Sequence, residues 1–158
     1  MDRILQILRE DARTTDQEIA VRLGITPEEV RSRIDAFEKA GVIRGYQALI
    51  NPEAADDDVR AVIELRVRPE RERGFDRLAK RIGRFPEVVS IFLVSGGFDL
   101  LLIVRGRNLQ EVASFVSARL APLDGVLSTS THFMLKTYKD QDVMMEVEDD
   151  DERLQVSP

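Results

Sequence analysis

Residues 15–40 read TDQEIAVRLGITPEEVRSRIDAFEKA, a stretch that contains the start signals of two consecutive helices. Thr15 precedes Glu18 by three residues, and Thr26 precedes Glu29 by the same spacing. In such a capping box the hydroxyl and the carboxylate each accept a hydrogen bond from a backbone N–H group near the helix start. The stretch therefore predicts one helix that begins after Thr15 and a second that begins after Thr26.

The short connection between these helices indicates a helix-turn-helix. Gly24 lies between them and can adopt the positive φ of a sharp turn, while Pro27 suits the first position of the second helix. The residues expected to face inward are Ile19, Leu23, Ile25, Val30 and Ile34. Such a motif usually places its second helix in the major groove, so we expect double-stranded DNA as a partner. A small helical bundle that binds no nucleic acid is the less favoured alternative.

Composition excludes several classes of site. The 158 residues include no cysteine and one histidine, His132, so disulfides, thiolate metal sites and multi-histidine metal sites within one chain are excluded. No apolar run approaches the ~20 residues of a membrane span, and no signal peptide is visible. We expect a cytoplasmic protein that has no catalytic, cofactor or metal site and no membrane contact.

The net charge of −6 is unusual for a DNA-binding protein, and it is unevenly distributed. Residues 1–51 contain eight basic and nine acidic side chains, whereas residues 140–152 contain eight acidic and no basic ones. The N-terminal part is therefore nearly neutral. We expect each protomer to bind DNA weakly and several copies to act together.

Turn and charge signals divide the chain into four parts. We assign residues 1–51 to the helix-turn-helix domain, which includes a helix over 2–11, a third helix that ends at Gly41, and a wing strand over 42–46. Residues 52–58 form an acidic linker, 59–139 a second domain, and 140–158 an acidic tail. The tail is expected to form short strands, at 143–147 and 153–158, that cover a sheet edge, with its acidic run in solvent.

The second domain alternates strands and helices. Strands are predicted at 61–67, 88–94, 99–104 and 127–135, and helices at 75–82 and after Asn108, which caps its helix with Glu111. The inner face of the second helix is predicted to be Leu109, Val112, Ala113, Val116 and Leu120. The order βαββαβ predicts an α+β, ferredoxin-like fold with helices on one sheet face. The other face needs cover, commonly from a second copy, so we expect an obligate dimer.

Taken together, these features resemble the Lrp/AsnC, or feast/famine, transcription regulators over about residues 1–139. The resemblance rests on Ile43-Arg44-Gly45-Tyr46, on Val94-Ser95-Gly96-Gly97-Phe98-Asp99-Leu100 in the central hairpin, on Leu123-x-Gly125-Val126 and on Thr129-x-Thr131. It implies sheet-mediated dimers, often assembled into octamers, and an amino acid bound between dimers in the C-terminal domain. The expected function is a DNA-binding transcription regulator that senses an amino acid.

The outward face of the third helix supplies the predicted DNA contacts, which are Thr26, Pro27, Arg31, Ser32, Arg33 and Asp35. Arg31 and Ser32 suit base edges, because arginine can donate two hydrogen bonds to guanine and serine can contact any base. Arg33 matches an arginine typical of the family and is expected to bind phosphate or a neighbouring carboxylate. The alternative for each arginine is a solvated or salt-bridged helix face. We expect Glu29 to be occupied by its capping box.

The predicted effector-binding residues are Gly96, Gly97, Asp99, Thr129 and Thr131. Accessible backbone N–H groups and hydroxyls suit a carboxylate, and a side-chain carboxylate suits an ammonium group, so the set fits an amino acid. The structural alternative is that the glycines and Asp99 serve only the hairpin and that the threonines are ordinary strand residues. His132 is expected on the opposite face, as a surface or interface residue.

Two other functions remain open at this point. Siroheme decarboxylases share the two-domain architecture but depend on histidine and basic residues, and this chain has one histidine. The nearly neutral first domain is also compatible with an interaction module whose helix-turn-helix does not bind DNA.

Overall fold

The computed structural model describes residues 1–51, 59–69 and 74–145. The chain forms two compact units, Met1–Leu49 and Ile50–Pro158. In the part of the chain that is described, no helix is both long and apolar enough to cross a membrane.

The first unit contains three helices, α1 (Arg3–Glu10), α2 (Asp16–Leu23) and α3 (Pro27–Lys39). Its core consists of Ile4, Ile19, Ala20, Val30 and Ile34, and the partly buried Leu23, Ile25, Phe37 and Ile43 pack against it. Gly24 ends α2 with φ of 68°, a left-handed conformation that costs glycine little. The predicted helix-turn-helix and its inward face are therefore confirmed.

The two predicted capping boxes differ. At α2 the box is complete, because the Thr15 hydroxyl accepts from the backbone of Glu18 and the Glu18 carboxylate accepts from that of Thr15. At α3 the Thr26 hydroxyl accepts from the backbone N–H of Glu29 at 3.2 Å, but the Glu29 carboxylate pairs with Arg33 at 2.7 Å. The expectation that Glu29 serves its capping box was wrong, because a guanidinium one turn away is a stronger donor than a backbone amide.

Helix α3 ends at Lys39 with Ala40 as its C-cap, so the predicted cap residue Gly41 lies one position further on, and the wing strand is not present. Gly41 has φ of 68°, and the N–H groups of Gly41 and Val42 donate to the carbonyls of Glu38 and Phe37. Residues 42–50 that follow are not strand. The prediction was wrong because a strand needs a partner, and none of the strands in the described residues pairs with this segment.

The second unit is built on a four-stranded antiparallel sheet. Its strands are β1 (Val59–Val67), β2 (Val88–Leu93), β3 (Leu100–Gly106) and β4 (Val126–Phe133), in the order β2-β3-β1-β4. Helix α4 (Asp76–Ile82) follows β1, and α5 (Leu109–Phe115) with a π-helical extension (Val116–Leu120) follows β3. This is the predicted βαββαβ arrangement.

Both helices lie on one face of the sheet and enclose the core. The buried residues are Ala61, Ile63, Leu65, Val67, Leu78, Ile82, Leu100, Leu102, Val104, Val112, Phe115, Leu120 and Leu123. Asn108 caps α5 by accepting from the backbone N–H of Glu111, as predicted. The predicted inner face of α5 was partly wrong: Leu109 and Ala113 are exposed, and Phe115 is buried instead. Burial of the phenyl ring removes more apolar area from water than burial of an alanine methyl.

The opposite face of the sheet has no helix in the described residues. The strand register puts one set of side chains on this open face, namely Arg60, Val62, Glu64, Arg66, Ser90, Phe92, Leu101, Ile103, Arg105, Ser128, Ser130 and His132. The apolar members of this set are Val62, Phe92, Leu101 and Ile103, of which Phe92 lies on the edge strand β2 and is 49% exposed. His132 thus lies opposite Thr131, as predicted.

Part of the predicted tail structure is described. Lys139–Asp140 (β5) pairs with Val143–Met144 (β6) as a separate two-stranded sheet. Met145 is buried, and its carbonyl accepts a hydrogen bond from the side-chain amide of Asn51 at 3.0 Å. The linker over 52–58, the acidic run and the strand at 153–158 lie outside the described residues.

Candidate DNA-binding and effector sites

The outward face of α3 borders an open groove of about 650 Å³. Four of the predicted DNA contacts line it, namely Pro27, Arg31, Ser32 and Asp35. Asp16 and Gln17 from α2 line the same groove, so the two helices of the motif contribute jointly. Thr26 and Arg33 do not line it, because the Thr26 hydroxyl caps α3 and the Arg33 guanidinium pairs with Glu29.

Arg31 is held at the edge of this groove by a carboxylate from the preceding helix. Its Nε donates to Oδ2 of Asp16 at 2.7 Å, and its Nη2 lies 2.6 Å from the same oxygen. This hydrogen bond and the negative charge of Asp16 raise the pKa of Arg31. The side chain remains 68% exposed, so its Nη1 group stays accessible to a base or a phosphate. Asp16 is a site residue that the sequence analysis missed.

A second polar contact fixes the segment that follows α3. The hydroxyl of Tyr46 donates to Oε1 of Glu38 at 2.9 Å. The pKa of Tyr46 is raised, mainly because the phenol is partly buried and to a lesser extent because of this hydrogen bond. This bond joins the segment after α3, residues 42–50, which forms no β-strand, to the last turns of that helix.

In the second unit a cavity of about 310 Å³ opens beside the β2-β3 hairpin. It is lined by Glu64, Arg66, Gly97, Phe98, Ser128, Thr129 and Ser130. Glu64 pairs with Ser130 across the strands, and Arg66 pairs with Ser128, so these four side chains share the open face. An acid, a base and two hydroxyls therefore converge on one cavity. This donor and acceptor set suits a zwitterion.

Only Gly97 and Thr129 of the five predicted effector residues line this cavity. Gly96 belongs to the same loop, and Thr131 pairs with Ile63 on the helix-covered face. Asp99 is engaged elsewhere: its Oδ2 accepts from the backbone N–H of Val67 at 2.8 Å, and its own N–H donates to Leu65. Asp99 thus joins the hairpin to the end of β1.

Glu64 and Arg66 were missed because the alternation of β1 identified them only as its solvent side. Opposite charges two residues apart on one strand face were the available signal. His132 adds to this group, since its Nε2 lies 3.4 Å from Oε1 of Glu64 and 3.2 Å from the hydroxyl of Ser130.

The sequence matches two family models that cover most of the described structure. Residues 3–44 match a winged helix-turn-helix DNA-binding domain, and residues 60–144 match the Lrp/AsnC ligand-binding domain. The chain belongs to the Lrp/AsnC family. The Lrp/AsnC architecture is that of a DNA-binding transcription regulator that senses a ligand.

Known Lrp/AsnC relatives match along nearly the whole chain. The uncharacterized HTH-type transcriptional regulator YugG of Bacillus subtilis is 46% identical over 157 residues, which are 98% of this chain and 95% of that protein. A transcriptional regulator of Neisseria meningitidis, solved with L-methionine, has a TM-score of 0.69 and 29% identity, and covers 89% of this chain and 93% of its own. A feast or famine regulatory protein of M. tuberculosis, also complexed with L-methionine, has a TM-score of 0.72 and 26% identity, with coverages of 90% and 95%.

These Lrp/AsnC relatives are transcriptional regulators by name, so the siroheme-decarboxylase alternative is not favoured. In the part of the chain that the structure describes, no three His, Asp or Glu side chains are grouped as metal ligands.

Proposed function

We propose that this protein regulates transcription by reading a DNA sequence through α3, with Arg31 and Ser32 at base edges and Pro27 and Asp35 beside them. The observation that carries the proposal is the groove along α3, in which Asp16 orients an exposed guanidinium. Arginine oriented in this way suits the O6 and N7 acceptors of guanine. Thr26 and Arg33 act indirectly, by starting α3 and by neutralising Glu29 near phosphate. A protein with this role works beside DNA, in the cytoplasm, without an enzymatic activity.

We further propose that a free amino acid is the effector and that it binds in the cavity beside the hairpin. Arg66 would bind its carboxylate, with the Ser128 hydroxyl, and Glu64 its ammonium group. Phe98 would contact the side chain, which favours an uncharged one. The L-methionine complexes of two similar proteins support this ligand class. Gly96, Asp99 and Thr131 would support the hairpin and the strand around the ligand rather than touch it.

A second copy of this chain is the proposed cover for the open sheet face. Phe92, Leu101 and Ile103 form an apolar patch on the neighbouring strands β2 and β3, of the kind found in subunit interfaces. Exposed leucines outside this face, such as Leu127 at 60% exposure, would serve further assembly of dimers, up to the octamer common in the family. Repeated units would compensate for the nearly neutral charge of one helix-turn-helix.

Selection of binding sites from a random-sequence DNA pool tests the DNA proposal. The full-length protein should enrich one sequence and bind it more tightly than random DNA at fixed salt. Arg31→Ala should lower specific affinity by about tenfold to a hundredfold with a smaller effect on random DNA. Arg22→Ala is a matched control on the other helix. No enrichment with intact folding would instead support an interaction module.

Calorimetry over the twenty amino acids tests the effector proposal. At least one uncharged amino acid should bind. Glu64→Gln and Arg66→Met should each lower the affinity for this amino acid by about tenfold or more. Arg105→Met, on the same face but not lining the cavity, is the control. Equal loss in all three variants would mean that the site lies elsewhere.

A further inference from the structure

A second positively charged surface lies in the C-terminal unit, on α4. Arg77, Lys80, Arg81 and Arg84 recur at spacings of three and four residues and are all exposed. Within α4 this spacing puts Arg77, Lys80 and Arg81 on one face, away from Leu78 and Ile82 in the core, and Arg84 lies in the turn just after the helix ends at Ile82. We call Lys80, Arg81 and Arg84 the basic stripe, because Arg77 engages another group.

The basic stripe carries positive charge that the described structure does not neutralise. Lys80, Arg81 and Arg84 form no side-chain hydrogen bond or ion pair with any residue in 1–51, 59–69 or 74–145. Some other cations of this unit are paired, as Arg107 is with Glu111 and Lys139 with Asp142, whereas Arg66 and Arg105 on the sheet form no ion pair within the described residues. The acidic neighbour Asp124 shares a cavity of about 210 Å³ with Arg77 and Arg81. Lys80 and Arg84 do not line this cavity.

The recognition helix of the DNA-reading unit carries little free positive charge, because Lys39 is the one of its three basic residues that has no side-chain partner in the described residues. Arg31 and Arg33 of α3 are both paired with carboxylates, and residues 1–51 contain one more acid than base. Phosphate contacts supply most of the non-specific affinity for DNA. A duplex presents about one negative charge per 1.7 Å of its axis, which is complementary to three exposed cations at the end of one helix.

We propose that the basic stripe on α4 is a second DNA-binding surface, which contacts the phosphate backbone and reads no sequence. The inference rests on the proposed DNA-binding function and extends it to the ligand-binding domain. The stripe supplies non-specific affinity, while α3 supplies discrimination between sequences. Because its contacts are ionic, they weaken as salt rises.

The competing explanation is that these cations only stabilise α4. They lie in and just after its last turn, where positive charge interacts favourably with the helix dipole. In that case their neutralisation would lower the melting temperature and leave DNA binding unchanged.

Salt-dependent binding of the full-length protein to a random-sequence duplex separates these roles. The test variant carries Lys80→Gln, Arg81→Gln and Arg84→Gln. The control carries Arg107→Gln, Lys136→Gln and Lys139→Gln, which remove the same charge from cations that have partners. The slope of log affinity against log salt should fall by about one to three per protomer in the test variant and by less than one in the control.

Several results would overturn the inference. Equal slope changes in both variants would show that only net charge matters, and a lower melting temperature without a change in slope would establish the helix-dipole role. Tighter DNA binding by the test variant would mean that the stripe holds an acidic protein segment. Arg31→Ala distinguishes this inference from the proposed function, because it should lose discrimination and retain the slope of the unmodified protein.

Discussion

Arg31 and Asp16 are joined through a single oxygen: both Nε and Nη2 of the guanidinium lie within 2.7 Å of Oδ2 of the carboxylate. The contact connects the first turn of α2 with the exposed face of α3. The contact holds the Nε and Nη2 side of the guanidinium against Asp16 and leaves Nη1 accessible. If Arg31 contacts DNA as proposed, a long, flexible side chain is thereby oriented in advance, which would lower the entropy lost on binding.

Asp16→Asn is therefore expected to reduce discrimination between sequences more than overall affinity. The amide removes the charge that orients Arg31, so the selected DNA site should lose about threefold to thirtyfold in affinity, and random DNA should bind equally well or better. Gln17→Glu is the control, since it adds a negative charge to the same groove and keeps the contact between Asp16 and Arg31. Competition binding with the selected site and random DNA measures both effects. A uniform gain on all DNA would identify Asp16 as a repulsive charge only.

Asp99→Ala should destabilise the C-terminal unit rather than act on the ligand. The substitution leaves the backbone N–H of Val67 without its acceptor, a loss of about 1–3 kcal/mol in the free energy of unfolding. Asp99→Asn retains an acceptor oxygen and should be closer to the unmodified protein. Chemical denaturation gives the free energies. If Asp99→Ala unfolded normally but bound no amino acid, Asp99 would be a direct ligand contact.

Gly97 and Gly96 should respond differently to alanine, although neither added Cβ would meet another atom within 4 Å. Gly96 has φ of 140°, so Gly96→Ala strains the backbone and should lower the melting temperature. Gly97 has no positive φ, so Gly97→Ala should keep the melting temperature and narrow the cavity, which weakens the largest amino acids first. Thermal melts and calorimetry test the pair. Equal melting temperatures for both variants would contradict the prediction that only position 96 requires glycine.

The capping box at Thr15 should make the helix-turn-helix sensitive to acid. The pKa of Glu18 is lowered by two hydrogen bonds from Thr15. The bond from its backbone N–H has the larger effect and the bond from its hydroxyl the smaller one. A carboxyl with a lowered folded pKa contributes stability above its unfolded pKa and loses it as pH falls through the folded value. Glu18→Gln should therefore melt below the unmodified protein at neutral pH, and the gap should close on acidification. Glu28→Gln controls for net charge; a constant gap at all pH values would contradict the prediction.

Phe92→Asp should separate the subunits. The ring lies on the open face at 49% exposure, and a buried carboxylate there would have no described partner. Light scattering at micromolar concentration should show a smaller species than for the unmodified protein. Leu109→Asp, at 53% exposure on α5, should leave the proposed dimer intact. Dissociation by the control and not by Phe92→Asp would place the interface on the helices.

The features that were predicted correctly from the sequence depend mostly on short-range signals. The caps at Thr15 and Asn108 and the glycine turn at Gly24 depend on groups within four residues, so spacing alone predicts them. Glu29 was misassigned because Arg33 competes for it, and spacing does not rank two partners. The predicted wing strand over 42–46 was wrong for a related reason. A strand must pair with another strand, and the local sequence does not show whether one is available.

The cavity proposed for the effector shows the same limit at longer range. Thr129 and Gly97 were recognisable from the family pattern, whereas Glu64 and Arg66 belong to a strand about thirty residues from the hairpin. Only the antiparallel register brings Glu64 beside Ser130 and Arg66 beside Ser128. Asp99 had the chemistry of an ammonium ligand, but its contact with Val67 could not be predicted without the register.

The cavity residues Glu64, Arg66, Ser128 and Ser130 occupy the same sheet face that a second copy is proposed to cover. Occupancy of the cavity and self-association then become thermodynamically coupled, with the same coupling free energy in both directions. An amino acid that fits the covered form better would drive association, and dilution of the protein would lower its apparent affinity. The concentration of the regulator itself would then help to set the amino-acid level at which it responds.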